Sequence, residues 1–217
     1  MKKVIVVLSI FFVFSFSFMG MADGIGIYLS GNKSSLWFNN TNYYMKDSNK
    51  YNYPSIGVIF EASLSRAVTF ESGAIYNEIS SENTIQTTQN DVSYELKLDT
   101  KLKTIRIPFI FRLYFLNEEI SPSFITGFSL YGILEKEDKA VYPEGYIKES
   151  AIIFPIWKTK DFFGAVHFGL GIQFLPETLK LEIGLLYSKS ITKIYDIIAG
   201  AKESKLSSLE IFIKKTF

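Results

Sequence analysis

Thr104–Phe115 has the sequence TIRIPFIFRLYF and decides the fold, because its alternate residues form two different sets. One set of alternate positions is entirely apolar, whereas the other carries Arg106 and Arg112. A period of two is typical of a β-strand with two different faces. In a transmembrane barrel the apolar face contacts lipid and the polar face lines the lumen. A soluble lipocalin-like barrel would instead hold the apolar side chains inside and leave both arginines in water.

The same alternation recurs along the chain and predicts eight strands. The predicted strands are Gly24–Gly31, Tyr53–Leu64, Ala67–Ile79, Val92–Phe115, Ile120–Leu134, Asp161–Leu175, Leu179–Thr192 and Leu206–Phe217. Long polar connections follow the odd-numbered strands, and short turns follow the even-numbered ones. This alternation of long and short connections is typical of outer-membrane barrels. The sequence therefore predicts an all-β, eight-stranded antiparallel up-and-down transmembrane β-barrel. Ten strands remain open if Val141–Ile156 pairs with itself as a hairpin.

The N-terminal segment has the pattern of a secretory signal peptide. Lys2 and Lys3 precede an uncharged, mostly apolar run that ends at Met19, and Gly20-Met21-Ala22 supplies small residues before a cleavage point. We expect cleavage after Ala22, so that residues 1–22 are removed and residues 23–217 form the barrel. An uncleaved anchor is the alternative, although the run is short for a spanning helix. The predicted location is the outer membrane of a Gram-negative-type bacterium.

Composition excludes several other classes of protein. The 217 residues carry a net charge of +1, which gives no reason to expect a nucleic acid partner. The chain has no cysteine, so disulfides, thiolate zinc sites and a lipidated cysteine are excluded. It has 20 Phe and 13 Tyr, an excess that suits aromatic girdles at two membrane interfaces.

Polar residues on the face opposite the apolar set are predicted to fill the lumen. This interior set comprises Glu61, Glu71, Arg106, Arg112, His167, Gln173, Lys180 and Glu182. Eight-stranded barrels have interiors just wide enough for side chains, so we expect ion pairs and hydrogen bonds that plug the barrel. A narrow pathway for ions or small solutes along the same residues is the alternative.

The sequence predicts no enzyme, no cofactor and no metal site. Hydrolases commonly need a histidine beside a serine or carboxylate, and this chain has a single histidine, His167. Its flanking sequence, AVHFGLG, is typical of strand packing, and no serine spacing singles out a nucleophile. An outer-membrane enzyme is therefore the third possibility, after a structural or binding role and after a channel.

Two further segments are predicted to contact partners. Leu209, Ile211, Ile213 and Phe217 resemble the C-terminal signal by which the barrel assembly machinery recognises outer-membrane proteins, although Lys215 departs from that pattern. The apolar run AIIFPIW, with Ile152, Ile153, Phe154 and Trp157, lies inside the long polar connection Glu135–Lys160. It predicts either a contact surface for an unknown ligand, lipid or protein, or a loop that folds over the barrel mouth.

Several of these motifs, in their order, resemble the PorT-type outer-membrane β-barrel family. The matching positions are Ile107-Pro108, Arg112, Tyr114, Pro122, Phe124 and Gly127, followed by the Gly-rich FFGAVHFGLGIQF and by LLYSKSITKIYD. The resemblance implies a small barrel, which we expect to be a monomer in outer-membrane lipid. Some family members are linked to protein secretion, but the resemblance does not extend to that role. The sequence thus predicts a structural or binding protein that acts through its extracellular loops.

Overall fold

The computed structural model describes residues 22–40, 45–50, 52–89, 92–115, 119–141, 143–144, 158–174, 180–196 and 201–217. Eight long strands form the body of the protein. They are β1 (Gly24–Asn40), β2 (Asn52–Ser63), β3 (Val68–Gln89), β4 (Val92–Tyr114), β5 (Ile120–Val141), β6 (Phe162–Phe174), β7 (Lys180–Ser190) and β8 (Ala201–Thr216). A short strand, Met45–Lys50, pairs with β3 and extends this sheet. Two others, Lys158–Thr159 and Tyr195–Asp196, pair with each other in a separate two-stranded sheet.

Each strand pairs antiparallel with the next one in the chain, and β1 pairs with β8, so the sheet closes into a barrel. This confirms the predicted eight-stranded up-and-down barrel. The register fixes how the strands tilt. Following paired residues once around the barrel from Ser34 on β1 leads back to β1 at Gly24, ten positions lower. For eight strands, such a stagger corresponds to a tilt of about 40°.

Large apolar side chains point outward from every strand and form a continuous belt. At least 37% of the surface of each is exposed, and its members include Ile27, Leu29, Ile56, Val58, Tyr76, Phe111, Leu113, Phe124, Phe128, Leu130, Phe168, Leu170, Ile183, Leu185, Ile211 and Ile213. On β5 the belt runs from Phe124 to Leu134. At about 3.3 Å per residue and a tilt of about 40°, this distance is about 25 Å, the height of the apolar band of outer-membrane barrels.

Three neighbouring strands continue well above the apolar belt. β3, β4 and β5 have 22, 23 and 22 residues, about twice the length that crosses a bilayer. The segments Asn32–Asn52 and Ser80–Asp91, predicted as loops, are largely strand, since β1 reaches Asn40 and β3 reaches Gln89. The apolar alternation stops at the edge of the belt, but backbone pairing continues beyond it, so the sequence pattern ends before the strand does.

Inside the barrel, two apolar clusters alternate with polar layers. One cluster contains Tyr28, Ile59, Ile75, Ile110, Ile125, Leu186 and Phe212. The other lies level with the upper part of the belt, since its Tyr131 falls between Leu130 and Leu134 on β5. It also contains Ile79, Leu102, Phe163, Ala165, Ile194 and Leu206. The part of the chain that the structure describes contains no helix with the length and apolar character needed to cross a membrane.

Candidate functional site in the barrel interior

A cluster of five charged side chains fills the lumen near the short-turn end of the strands. Arg112 forms ion pairs with Glu71, which lies 2.7 Å from its Nε, and with Glu182, which lies 2.6 Å from its Nη1. Lys214 forms ion pairs with Glu61 at 3.1 Å, with Glu182 at 2.8 Å and also with Glu71. No more than 4% of any of these side chains is exposed. Buried charges are tolerated when they are paired in this way, so the cluster is a single electrostatic unit.

A second ion pair lies higher in the lumen. Arg106 donates from both terminal nitrogens to Glu210, at 2.6 and 3.2 Å, which is the bidentate geometry that suits a guanidinium. Ser30 donates a further hydrogen bond to the same carboxylate. Arg106 and Glu210 are both buried, so their mutual pairing removes the cost of leaving either charge alone.

His167 lies between two serines and is fully buried. Its Nδ1 is 2.7 Å from the Ser188 hydroxyl and its Nε2 is 2.7 Å from the Ser129 hydroxyl. Register explains this contact, because His167 pairs with Ser188 on β7, and Ser129 lies on β5 with the same inward orientation. Both ring nitrogens are therefore occupied by hydrogen bonds within the barrel wall.

Stacked rings connect the two ion-pair layers. The Arg112 guanidinium lies 5.0 Å from the centre of the Phe212 ring, and Phe212 stacks on Tyr28 at 5.4 Å. The Arg106 guanidinium then lies 5.3 Å from the centre of the Tyr28 ring. Guanidinium groups are attracted to the faces of aromatic rings. We call Arg112, Phe212, Tyr28 and Arg106 the axial stack, because it links the layers through the lumen.

Inward glycines make room for the bulky members of this interior. A Cβ atom at Gly184 would lie 2.6 Å from the Phe212 ring, and one at Gly171 would lie 2.7 Å from the Ser123 hydroxyl. Ser123 donates to Glu182 at 2.9 Å, so the space beside Gly171 is taken up by the charge cluster. The small residues therefore accommodate large neighbours on adjacent strands at these two positions.

Of the predicted interior set, the structure places seven side chains inside the barrel, and Lys180 is the exception. Lys180 is exposed because it is the first residue of β7, at the rim, where water reaches both faces. Alternation predicts the face of a residue but not its depth.

Near Lys180, the Asp23 carboxylate accepts a hydrogen bond from the Ser63 backbone N–H at 2.5 Å. This hydrogen bond lowers the pKa of Asp23, and the charge of Lys180 adds a smaller effect in the same direction. Gln173 is buried opposite Glu182.

Four central residues were absent from the predicted set: Tyr28, Glu210, Phe212 and Lys214. The signal for three of them was available, because Leu209, Ile211 and Ile213 point outward and the residue that follows each of them must then point inward. For Tyr28 the same argument follows from its exposed neighbours Ile27 and Leu29.

The residues of the predicted assembly signal are all exposed, three of them on the outer face of β8 and Phe217 just after its end. Leu209, Ile211, Ile213 and Phe217 are between 47% and 68% exposed. Lys215, which departs from the pattern, has its Nζ 4.5 Å from the centre of the Phe217 ring. Its stem therefore covers apolar surface while its ammonium group lies over an aromatic face. Ile152, Ile153, Phe154 and Trp157, the predicted loop contact, lie outside the described residues.

Chemically, this interior holds charge and fills space. Within the described ranges, no three His, Asp or Glu side chains are grouped in a way that could hold a metal ion. His167 is engaged in hydrogen bonds with both of its neighbouring serines.

Comparison with known proteins adds little beyond the fold. No family model matches the chain, and no curated protein matches it. Among solved structures, the attachment invasion locus protein Ail of Yersinia pestis is 13% identical over 91% of this chain and 100% of its own, with a TM-score of 0.40. The outer membrane protein OprG of Pseudomonas aeruginosa is 13% identical over 90% of this chain and 97% of its own, with a TM-score of 0.43.

The outer membrane protease OmpT of Escherichia coli is 10% identical over 90% of this chain and 97% of its own, with a TM-score of 0.46. These proteins have different roles by name, so similarity at this level carries no argument about activity. The fold assignment depends on the strand pairing of this chain itself.

Proposed function

We propose that this chain is an integral outer-membrane β-barrel with a plugged lumen and a structural or binding role on its extracellular side. The observation that carries the proposal is the combination of an apolar outer belt with buried ion pairs inside. Soluble barrels rarely expose a continuous apolar belt of this kind to water. The N-terminal 22 residues serve as its cleaved signal peptide, outer-membrane lipid surrounds it as a monomer, and the barrel assembly machinery inserts it.

The axial stack and the charge cluster support a closed lumen over the alternative of a narrow channel. Ion pairs join residues of β2, β3, β4, β7 and β8 across the interior, and the stack joins two layers. A permeating ion would have to separate these buried pairs, which costs several kcal/mol for each pair broken. The strands that extend above the belt then offer the surface available for partners.

We propose a non-enzymatic role as well. His167, the only histidine, is fully buried between Ser129 and Ser188. A general base must reach the proton that it removes from a bound substrate. The motif resemblance to the PorT-type family is kept as a proposal about ancestry, and no activity is taken from it.

Single-channel recording in a planar bilayer tests the plugged lumen. We expect no discrete openings from the refolded wild-type protein, because paired side chains occupy the lumen. The matched variant Tyr28→Ala with Phe212→Ala removes both rings of the axial stack and should raise the conductance of the bilayer. Folding of each preparation is checked by its heat-modifiable migration on gels. Reproducible openings from folded wild-type protein would establish the channel instead.

A further inference from the structure

The outer rim of the apolar belt carries charge differently on its two sides. On the β3–β5 side, lysines are paired with glutamates: Lys101 lies 2.7 Å from Glu78 and Lys103 lies 2.6 Å from Glu135. On the side formed by β7, β8 and β1, three outward positions also carry lysines: Lys189, Lys205 and Lys33. No carboxylate of the described residues forms an ion pair with Lys33 or Lys189.

Register brings these lysines together. Lys189 on β7 pairs with Ser207 on β8, and Ser207 pairs with Ser35 on β1. Lys205 and Lys33 each lie two residues from this row, on β8 and β1. With a rise of about 3.3 Å per residue and strands about 4.8 Å apart, Lys189 lies about 8 Å from Lys205 and about 12 Å from Lys33 between Cα atoms. Flexible lysine side chains reach a common ligand over such distances.

The lysines lie at the upper edge of the belt. Lys33 pairs with Leu209, which pairs with Tyr187, and both of these neighbours are exposed apolar residues. Below them, Leu185 and Ile211 continue the apolar surface toward the other rim. Tyrosines and lysines in such positions are typical of the level of lipid headgroups. A ligand held by these lysines therefore has an apolar wall directly beneath it.

We propose that Lys33, Ser35, Lys189, Lys205 and Ser207 form a binding site for the phosphate groups of an anionic lipid. The ammonium groups supply charge and the two hydroxyls supply hydrogen bonds to phosphate oxygens. Acyl chains of the same lipid lie along Leu209, Tyr187 and Leu185. The site is continuous with the belt, and this favours a lipid over a free phosphate, because a free phosphate would not contact the apolar wall. The inference rests on the proposed function, because it requires the belt to lie in lipid.

Titration of the full-length gene product, purified in detergent from outer membranes, tests this site. The probe is lipid A with two phosphates, and bound lipid is counted by native mass spectrometry. Lys33→Gln with Lys189→Gln should weaken binding about tenfold or more, because both unpaired ammonium groups are lost. The matched variant Lys97→Gln with Lys101→Gln removes the same charge from the other side and should change binding by no more than about twofold.

Three results would overturn the lipid site. Equal binding to the two double variants would show that the lysines of β1 and β7 are not involved, and equal binding of dephosphorylated lipid A would show that phosphate is not recognised. Displacement of the lipid by inorganic phosphate at similar concentration would assign the site to a free anion. Heat-modifiable migration of the same samples separates these results from failure of the proposed function, in which the protein would not be recovered folded from the outer membrane.

Discussion

At the scale of single residues, Lys214 connects most of the charged interior. Its ammonium group contacts the carboxylates of Glu61, Glu71 and Glu182, and only Arg112 shares two of these partners. Three acidic groups in a desolvated space need this second cation, because a buried carboxylate without a partner is costly. Lys215, next in the chain, points out of the barrel and has no such role.

Replacing Lys214 with methionine should therefore destabilise the barrel by about 3–5 kcal/mol, since the three carboxylates would then share a single cation. Lys215→Met is the matched control, because it makes the same chemical change one position away on the outer surface, and we expect a loss of no more than about 1 kcal/mol. Urea unfolding in lipid vesicles, followed by heat-modifiable migration, measures both. Similar losses for the two variants would contradict the assignment of faces on β8.

At the scale of elements, the upper parts of β3 and β4 differ from the parts within the belt. They are joined by backbone pairing from Ser80–Lys101 to Gln89–Val92, with surface ion pairs such as Lys97–Glu82 at 3.5 Å. Exposed ion pairs contribute little to stability, about 0–1 kcal/mol each. The barrel itself is closed lower down, where pairs such as Ile75–Arg106 join the same strands.

Replacing residues 83–98 with Asn-Gly should leave the barrel folded, because Glu82 and Asp99 already face each other as a pair and a two-residue turn suits that geometry. Heat-modifiable migration and the melting temperature should change little. The control Ile75→Pro acts on the same strand within the barrel and should prevent folding, since proline removes a ladder hydrogen bond. If the shortened protein no longer folds, the upper sheet is part of the folding unit.

At the scale of the whole molecule, the proposed membrane location predicts that the belt lies in lipid. Leu185 lies in the middle of the belt on β7 and is 49% exposed, whereas Ile191 lies just beyond the end of that strand and is 62% exposed. The cost of an outward charge in a barrel depends on depth, from about 2–4 kcal/mol at the midplane to about 0–1 kcal/mol near the interface.

Leu185→Arg should therefore destabilise the protein by about 2–4 kcal/mol, and Ile191→Arg by about 0–1 kcal/mol. Equilibrium unfolding from vesicles gives the two values. In water, an arginine at either exposed position would be nearly neutral. Equal, small effects would mean that the belt does not lie in a bilayer, which would refute the membrane assignment and the lipid site together.

The sequence indicates which face of a strand a residue occupies. It indicates less clearly how deep the residue lies in the barrel, how long the strand is and which residues form pairs across the interior. In Thr104–Phe115 the alternation is strong enough to assign Arg106 and Arg112 to one face, where the structure places them. Lys180 was assigned by the same rule, but it lies at a rim. The pairing of Arg106 with Glu210 depends on the stagger of all eight strands, which no single strand encodes. Polar strand ends such as Glu135–Val141 resemble loops because they lack the apolar alternation, although they are paired with β4 in the sheet.

The pairing of β1 with β8 has a consequence for the order of folding. Ser30 and Glu210 are 180 positions apart, and Lys214 and Glu61 are 153 positions apart. Contacts of such high sequence separation require a large loss of chain entropy before they form, so folding is slow. Until β8 docks, the partner that this strand supplies in the native barrel is missing for Arg106, Glu61 and Glu71. The interior can therefore leave water only in the final, concerted step of closure.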